Sequence, residues 1–211
     1  MTNVLPVVAE EELADYIDVF CEKGYLGLEE TEKVMEAGYR MGLKSKIHVN
    51  QFNAFGGVGL AVEHNALSVD HLEVMTEEDL ELLSNSNTIA TLLPTCSYFL
   101  SIPYAPARDL LARNAIVSLA SDFNPGSTPS GNMNGVWSTA CIKMKMTPTE
   151  ALHACTINGA AAMEIRATTG SICVGKRADL ILTKEVPGLA YLPYAFGSNW
   201  IDRVFINGMV A

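Results

Sequence analysis

The sequence lacks several features that would each identify a class of protein. No apolar stretch approaches the roughly 20 residues needed to cross a bilayer, and the first residues show neither part of a signal peptide. No long basic run offsets the formal net charge of −10. Nucleic acids and anionic membrane surfaces carry negative charge themselves, so we expect neither as a partner.

Residues that bind metals through sulfur or through paired imidazoles are also scarce. The five cysteines are dispersed and form no CxxC pair, which predicts buried thiols in a reducing compartment and therefore a cytoplasmic protein. The four histidines include no His-x-His pair. Any histidine-based metal site in this sequence would therefore be only part of one.

Three short apolar runs do end on residues that can bind a metal or move a proton. They lead to His48, His71 and Asp122, and each is followed by a loop and a helix-like segment. The C-terminal ends of the strands in a βα repeat lie on one face. We therefore expect the two imidazoles and the carboxylate to converge, an arrangement that suggests metal-assisted hydrolysis.

Alternation of strand-like and helix-like segments predicts an α/β fold with a parallel sheet. The strand-like segments are nearly all apolar, which suits a sheet covered on both faces. The predicted strands are 16–21, 47–49, 67–69, 88–93 and 116–120. A closed TIM-type barrel needs eight strands and typically about 250 residues. We therefore predict a partial (β/α) barrel of about five βα units, with about three units of the closed barrel absent from the N-terminal side.

The character of the sequence changes after Asp122. Residues 125–132 form a polar loop rich in glycine, proline and serine, a composition typical of functional or disordered loops. Further on, an Asn207-Gly208 turn between apolar segments predicts a β-hairpin. We predict two domains: residues 1–168, the C-terminal part of the barrel with the metal site, and residues 169–211, the C-terminal strands of a small β domain.

At this level of detail the sequence resembles the metal-dependent amidohydrolase superfamily. The tail Gly-x-Ile-x-x-Gly-Lys-x-Ala-Asp-Leu, which begins at Gly170, is similar to the return segment of that superfamily. Other segments resemble its imidazolonepropionase family, and the match runs over essentially the whole chain. These segments are 18–22, 46–48, 68–72, 121–127 and 156–160.

The resemblance implies a fold, a reaction and a set of site residues. The fold is a barrel of the amidohydrolase kind with a small β-sandwich, and the cofactor is one zinc or iron ion. The reaction is hydrolysis of the small-molecule cyclic amide 4-imidazolone-5-propanoate to N-formimino-L-glutamate, a step of histidine degradation. His48 and Asp122 would bind the metal, and His71 would be a catalytic histidine that does not. The residues that would line the substrate pocket are Asn124, Gly126 and Ser127.

Two departures from the family pattern leave other interpretations open. The His-x-His ligands of the family have no match here, and Gln51 stands where many members carry a glutamate. An amide cannot act as a base at neutral pH, although it can orient a water or a substrate ring, so Gln51 remains a candidate catalytic residue. The sequence is also compatible with another amidohydrolase, such as a deaminase or a different cyclic amidase, or with a non-catalytic remnant of the barrel.

An open barrel would expose apolar strand edges. We therefore expect the chain to associate with another copy as a homo-oligomer, specifically a dimer, or with the missing segment, or to aggregate. Because two metal ligands of the family are missing here, we expect weak or no activity from these 211 residues alone.

Overall fold

The computed structural model describes residues 3–211, and contacts divide the chain into two compact units. Unit 1 takes in the chain up to Leu92 together with Ala105–Val117, and unit 2 takes in Leu93–Tyr104 and Ser118–Ala211. These boundaries differ from the predicted boundary between residues 168 and 169, which stays a prediction.

The strands of the described chain fall into two sheets. The first sheet, in the order β1-β2-β3-β4-β5, contains β1 (Tyr16–Cys21), β2 (Lys44–Val49), β3 (Ser68–His71), β4 (Ile89–Leu92) and β5 (Val117–Leu119). The second sheet contains β6 (Leu180–Thr183), β7 (Ile201–Ile206) and β8 (Met209–Val210).

Helices alternate with the strands of the first sheet and then dominate the chain between the two sheets. In unit 1 they are α1 (Leu5–Glu10), α2 (Leu28–Arg40), α3 (Gly57–Glu63), α4 (Glu77–Ser84) and α6 (Ala107–Ala112). In unit 2 they are α5 (Pro94–Leu100), α7 (Met133–Lys143), α8 (Pro148–Cys155), α9 (Ile157–Ala162) and α10 (Tyr191–Tyr194).

Strands β1 to β4 of the first sheet are parallel, and each one pairs with the next strand along the chain. Lys46 of β2 lies opposite Ser68 of β3, and Ser68 lies opposite Ile89 of β4. The fifth strand lies beside β4, where the Ala90 N–H donates a hydrogen bond to the Ile116 carbonyl. Parallel strands with helices between them confirm the predicted α/β class and are consistent with part of a TIM-type barrel.

Burial explains why the strands read as apolar runs. Ile47, Val49, Val69 and Leu92 are fully buried, so their faces of the sheet pack against the helices. On β2 the buried residues alternate with half-buried ones, and His48 belongs to the half-buried set. The helix-covered face and the face that carries His48 are therefore distinct.

In unit 2, α7 packs against α5, α8 and α10. The indole N–H of Trp137 on α7 donates to the carbonyl of Pro148 at 3.2 Å, and the ring meets Trp200 edge-on at 6.2 Å between centroids. The second sheet is antiparallel, and β7 turns into β8 through Asn207-Gly208 with φ of 52° and 80°. The predicted hairpin and its turn are therefore confirmed.

Four of the five predicted strands have different bounds in the structure, and the strand before Pro94 is the instructive case. The predicted strand 88–93 ends earlier, at Leu92, and its Pro94 opens α5. Proline suits the first turn of a helix because its missing N–H needs no partner there.

Candidate active site

The residues singled out in the sequence fall into two groups. His48, His71 and Gln51 lie in unit 1, and Asp122, Asn124, Gly126 and Ser127 lie in unit 2. We call residues 50–53 the Gln51 loop and residues 122–128 the Asp122 loop. The Gln51 loop directly follows β2, and the Asp122 loop begins shortly after the end of β5.

His48 is carried by β2 and oriented by β1. Its Nδ1 lies 2.9 Å from Oδ1 of Asp18, and the same carboxylate oxygen accepts the N–H of Val19. A carboxylate at Nδ1 favours the tautomer that carries its proton there and its lone pair on Nε2. Histidines that ligate metals are commonly held in this way by an outer carboxylate.

His71 ends β3 with an unusual backbone. Its φ is 86°, and that of Leu72 is 68°, in the left-handed region that residues other than glycine seldom adopt. Lying opposite Val49 in the register, an extended His71 would share the helix-covered face of Val49. Instead, its ring centroid lies 5.4 Å from that of His48. We attribute this turn of the side chain to the left-handed backbone.

The imidazole of His71 is buried, and one of its nitrogens is poorly satisfied. Its side chain is 4% exposed, and Nδ1 lies 3.5 Å from Oε2 of Glu73, beyond a good hydrogen bond. Within residues 3–211, Nδ1 has no hydrogen-bond partner. A buried polar atom without a partner lowers stability. Together with the strained backbone, it is typical of a residue kept for function.

Gln51 is 6% exposed and lies between two anchored neighbours. On one side, Asn50 has a φ of 58° and donates from Nδ2 to Oδ2 of Asp79 at 3.1 Å. On the other side, the N–H of Phe52 donates to Oε2 of Glu22 at 2.9 Å. Carboxylates from elsewhere in the chain therefore hold both neighbours of Gln51, Asn50 through its side chain and Phe52 through its backbone.

Three carboxylates close to the histidines had no role in the sequence-based prediction. They are Asp18, Glu22 and Glu73, which contact His48, the Gln51 loop and His71 respectively. Asp18 and Glu22 lie in the segment 18–22 that carried part of the family resemblance. The alternation of residues along β1 was a usable signal, because positions 18, 20 and 22 share one face of a strand.

Asp70 adds a further carboxyl group to the face that carries His48, which it pairs with in register. Burial raises the pKa of the Asp70 carboxyl above its ordinary value, and the charges of His48 and Lys46 oppose that rise. Ser68 donates its hydroxyl to Oδ1 of Asp70 at 3.1 Å.

In unit 2, Asp122 follows β5 with a φ of 53°. Its Oδ2 accepts hydrogen bonds from the hydroxyls of Ser127 at 3.1 Å and Thr128 at 3.4 Å. Two hydroxyl donors on one oxygen fix the rotation of the carboxylate. Because the carboxylate is rigid, the same two hydrogen bonds also fix the direction of its other oxygen, Oδ1.

Asn124 organises the Asp122 loop from within. Its Oδ1 accepts the N–H groups of Gly126 and Ser127, both at 2.8 Å, and its Nδ2 donates to the Asp122 carbonyl at 2.8 Å. Asn124 and Thr128 also exchange backbone hydrogen bonds at 3.1 and 3.3 Å. The amides of Gly126 and Ser127 therefore serve the loop itself, and a direct contact of these residues with substrate stays a prediction.

Cys96 on α5 lies beside Asp122 and is fully buried. Burial, and then a hydrogen bond to the Asp122 carboxylate, raise the pKa of the Cys96 thiol to about 12. A thiol with so high a pKa is a poor nucleophile and a poor metal ligand at neutral pH.

The donor chemistry suits a zinc or iron ion. Imidazole nitrogen and carboxylate oxygen are ordinary ligands of both metals. The carboxylate behind His48 and the two hydroxyls on Asp122 are the kind of outer contacts that hold such ligands in place. On these observations the residues present fit a metal ion.

The chain matches a model of the amidohydrolase family over residues 16–211. The chain belongs to the amidohydrolase family. It is 59% identical over 210 residues to an imidazolonepropionase from Flavobacterium johnsoniae, and 60% identical over 208 residues to one from Christiangramia forsetii. These alignments cover 100% and 99% of this chain but 51% of each relative, so the chain spans about half the length of the curated relatives it matches.

Solved structures show the same fold at lower identity. A zinc-bound adenosine deaminase from Xanthomonas campestris superposes with a TM-score of 0.79 at 18% identity, over 98% of this chain and 54% of the deaminase. A mutant atrazine chlorohydrolase from Arthrobacter aurescens, complexed with zinc and atraton, gives a TM-score of 0.73 at 15% identity, over 98% and 55% of the two chains. The amidohydrolase fold predicted from the sequence is confirmed.

Among the residues that the structure describes, no helix has the length and apolar character needed to span a bilayer.

Proposed function

We propose that this chain forms part of an enzyme that hydrolyses 4-imidazolone-5-propanoate to N-formimino-L-glutamate. The observation that carries the proposal is the 59% identity to an imidazolonepropionase over 210 residues, a match that covers this chain from end to end. The match covers the residues of both loops and of the strands before them. A deaminase is the weaker candidate, because its likeness to this chain is 18% in sequence and concerns the fold.

In this proposal, His48 and Asp122 bind one zinc or iron ion. The topology supports a shared ion, because β2 and β5 belong to one sheet and the two residues lie at or just beyond the strand ends. When bound, the metal lowers the pKa of a water molecule and polarises the carbonyl of the ring amide. Zinc usually takes four ligands, so His48 and Asp122 would supply two of them.

The remaining roles follow from the contacts of each side chain. Asp122, whose Oδ2 is held by Ser127 and Thr128, accepts a proton from the attacking water at Oδ1. His71 has Nδ1 directed toward Glu73, so its Nε2 delivers a proton to the ring nitrogen as the amide C–N bond breaks. The hydroxyl group of the water forms a bond to the carbonyl carbon, and the ring opens.

Gln51 and the Asp122 loop would bind the substrate and set its orientation. The Gln51 amide can donate to a carbonyl and accept from a ring N–H, and the burial of the side chain restricts its motion. Asn124, Gly126 and Ser127 would form the wall of the pocket, with their mutual hydrogen bonds keeping its shape.

Oligomeric state and compartment belong to the same proposal. A homodimer is supported by the exposed apolar side chains of the second sheet, among them Ile206 at 58% and Met209 at 70% exposure. A cytoplasmic location is supported by the cysteines, none of which forms a disulfide among the residues described. Sedimentation velocity on the purified chain would test the dimer.

The activity can be tested in a chimera that joins this chain to the N-terminal half of the Flavobacterium johnsoniae relative. We expect the metal-loaded chimera to convert 4-imidazolone-5-propanoate to N-formimino-L-glutamate, followed by mass spectrometry. His71→Ala should lower kcat by about a hundredfold or more, the range of general acid catalysis.

His64→Ala is the matched control, because His64 lies at the end of α3 and bonds to Glu32 at 3.3 Å. It should keep the activity of the parent. A folded, metal-bound chimera that leaves the imidazolone intact but deaminates adenosine would contradict the proposal.

A further inference from the structure

Glu22 is a buried carboxylate with no assigned role. It follows β1 directly and is fully buried. Its Oε2 accepts the Phe52 N–H at 2.9 Å, and its Oε1 accepts from Nδ2 of Asn53 at 3.0 Å and from the N–H of Lys23 at 3.1 Å. All three partners are donors, and none of them is charged.

This pattern is specific for a carboxylate. An ionised carboxylate only accepts hydrogen bonds and offers lone pairs on both oxygens, whereas a glutamine amide would place an N–H₂ group against one set of donors. Burying a carboxylate among neutral groups is costly unless its hydrogen bonds are satisfied. Packing alone would be served better by an apolar residue, so the cost indicates that the bonds to the loop matter.

These hydrogen bonds connect Glu22 to residues beside Gln51 that are distant in the sequence. Phe52 and Asn53 lie 30 and 31 residues from Glu22 in the sequence. They follow Gln51 directly, and Gln51 itself comes three residues after His48. Because Asn50 on the other side is bound to Asp79, Glu22 supplies the second of two fixed points for this short segment.

We propose that Glu22 is a positioning residue for the reaction: its buried carboxylate holds the Gln51 loop and thereby fixes the Gln51 amide at the carboxyl end of β2. The inference rests on the proposed function, since the contact of Gln51 with substrate belongs to that function. It assigns no proton transfer to Glu22, whose carboxylate bonds to Lys23, Phe52 and Asn53.

The test combines a structural measurement on this chain with kinetics on the chimera. In Glu22→Gln, hydrogen exchange at the Phe52 amide should quicken by about tenfold or more, since a hydrogen bond to a charged group is worth about 1.5–3 kcal/mol. Exchange at the Val49 amide inside β2 should stay as in the parent. In the chimera, kcat should fall about tenfold or more while metal content and affinity for the metal stay unchanged.

Two variants serve as controls. Glu29→Gln removes an exposed carboxylate that pairs with Lys33 on α2, and should change neither exchange nor kcat. Asn53→Ala removes one of the three donors to Glu22 and should quicken Phe52 exchange by a smaller factor, which keeps the test open if Glu22→Gln does not fold.

The outcomes separate this inference from the proposed function. Phe52 exchange in Glu22→Gln that matches the Glu29→Gln control would overturn it. An unchanged kcat in an active chimera whose loop exchanges faster would also overturn it. A loss of kcat that is explained entirely by global unfolding, measured in urea, would overturn it as well. If the parent chimera is inactive on the imidazolone, the proposed function fails, and the exchange measurement still decides whether Glu22 anchors the loop.

Discussion

The Gln51 loop and the Asp122 loop do similar work by opposite means. The Gln51 loop is held by residues far away in the sequence: Glu22 lies 30 residues before Phe52, and Asp79 lies 29 residues after Asn50. The hydrogen bonds that side chains form within the Asp122 loop span at most six residues, from Thr128 to Asp122, and the Cys96 thiol of α5 adds a contact from outside. The first loop therefore takes its shape from the fold, and the second carries much of its shape in its own sequence.

The largest expected difference between the loops concerns close packing. A Cβ on Gly57, the residue that begins α3 after the Gln51 loop, would overlap the side chain of Val49 on β2. A Cβ on Gly126 would meet only Oδ1 of Asn124, at 3.3 Å. Gly57→Ala should destabilise the chain by about 1–3 kcal/mol, as overpacking does. Gly126→Ala should stay within about 0.5 kcal/mol of the parent.

Urea unfolding of both glycine variants measures this difference. Equal midpoints for the two variants would show that long-range packing does not distinguish the loops.

A smaller and more local effect is expected from Asn124→Ala. The change removes the acceptor of the Gly126 and Ser127 N–H groups and the donor to the Asp122 carbonyl. The loop should loosen locally while the rest of the chain stays folded, so the urea midpoint should fall by less than in Gly57→Ala. Cys96, buried beside Asp122 with a pKa of about 12, should then become labelled by iodoacetamide faster than in the parent.

Ser130→Ala is the control for Asn124→Ala, because Ser130 is exposed and lies outside the loop. Labelling of Cys96 at the same rate in both variants would mean that Asn124 does not hold the loop together.

The smallest expected effect is a pair of opposite pH dependences, one from each unit. Burial raises the pKa of Asp70 in unit 1, so the stability linked to its protonated form is present below pH 3.8 and is lost as pH rises through the folded pKa. The Asn207 N–H and then Arg177 lower the pKa of Asp179 in unit 2. Its contribution is therefore present above pH 3.8 and is lost as pH falls through the folded pKa.

Unfolding followed across pH in Asp70→Asn and Asp179→Asn tests both signs. The first variant should lose less stability than the parent as pH rises, and the second should lose less as pH falls. Profiles that shift in the same direction would contradict the assignment of causes.

The contrast between the loops also explains what the sequence predicted. The parallel sheet followed from apolar runs with buried faces, such as Ile47 to Val49, and the Asn207-Gly208 hairpin from its turn residues. His48, His71 and Asp122 were chosen because each stands at the end of such a run. Their expected convergence suggested metal-assisted hydrolysis, and family resemblance then supplied zinc or iron and the substrate, which no spacing of residues in this chain determines.

The remaining features depend on partners that sequence order hides. Nothing near Glu22 in the sequence indicates that it binds Phe52, because the two meet only once β1 and β2 pair. The left-handed backbone of His71 and Leu72 was equally hidden, since neither residue type favours it. Strand alternation from Val49 would place the His71 ring on the helix-covered face, so its predicted convergence with His48 depends on a turn of the backbone that the sequence does not indicate.

The central claim, that His48 and Asp122 hold one metal ion together, is tested most directly by elemental analysis of the dialysed chimera. The parent and the His64→Ala control should each retain one zinc or iron ion per chain. His48→Ala and Asp122→Ala should each lose it, because removing either ligand takes away a direct bond to the metal. Retention of one ion per chain in either of those two variants would contradict the account.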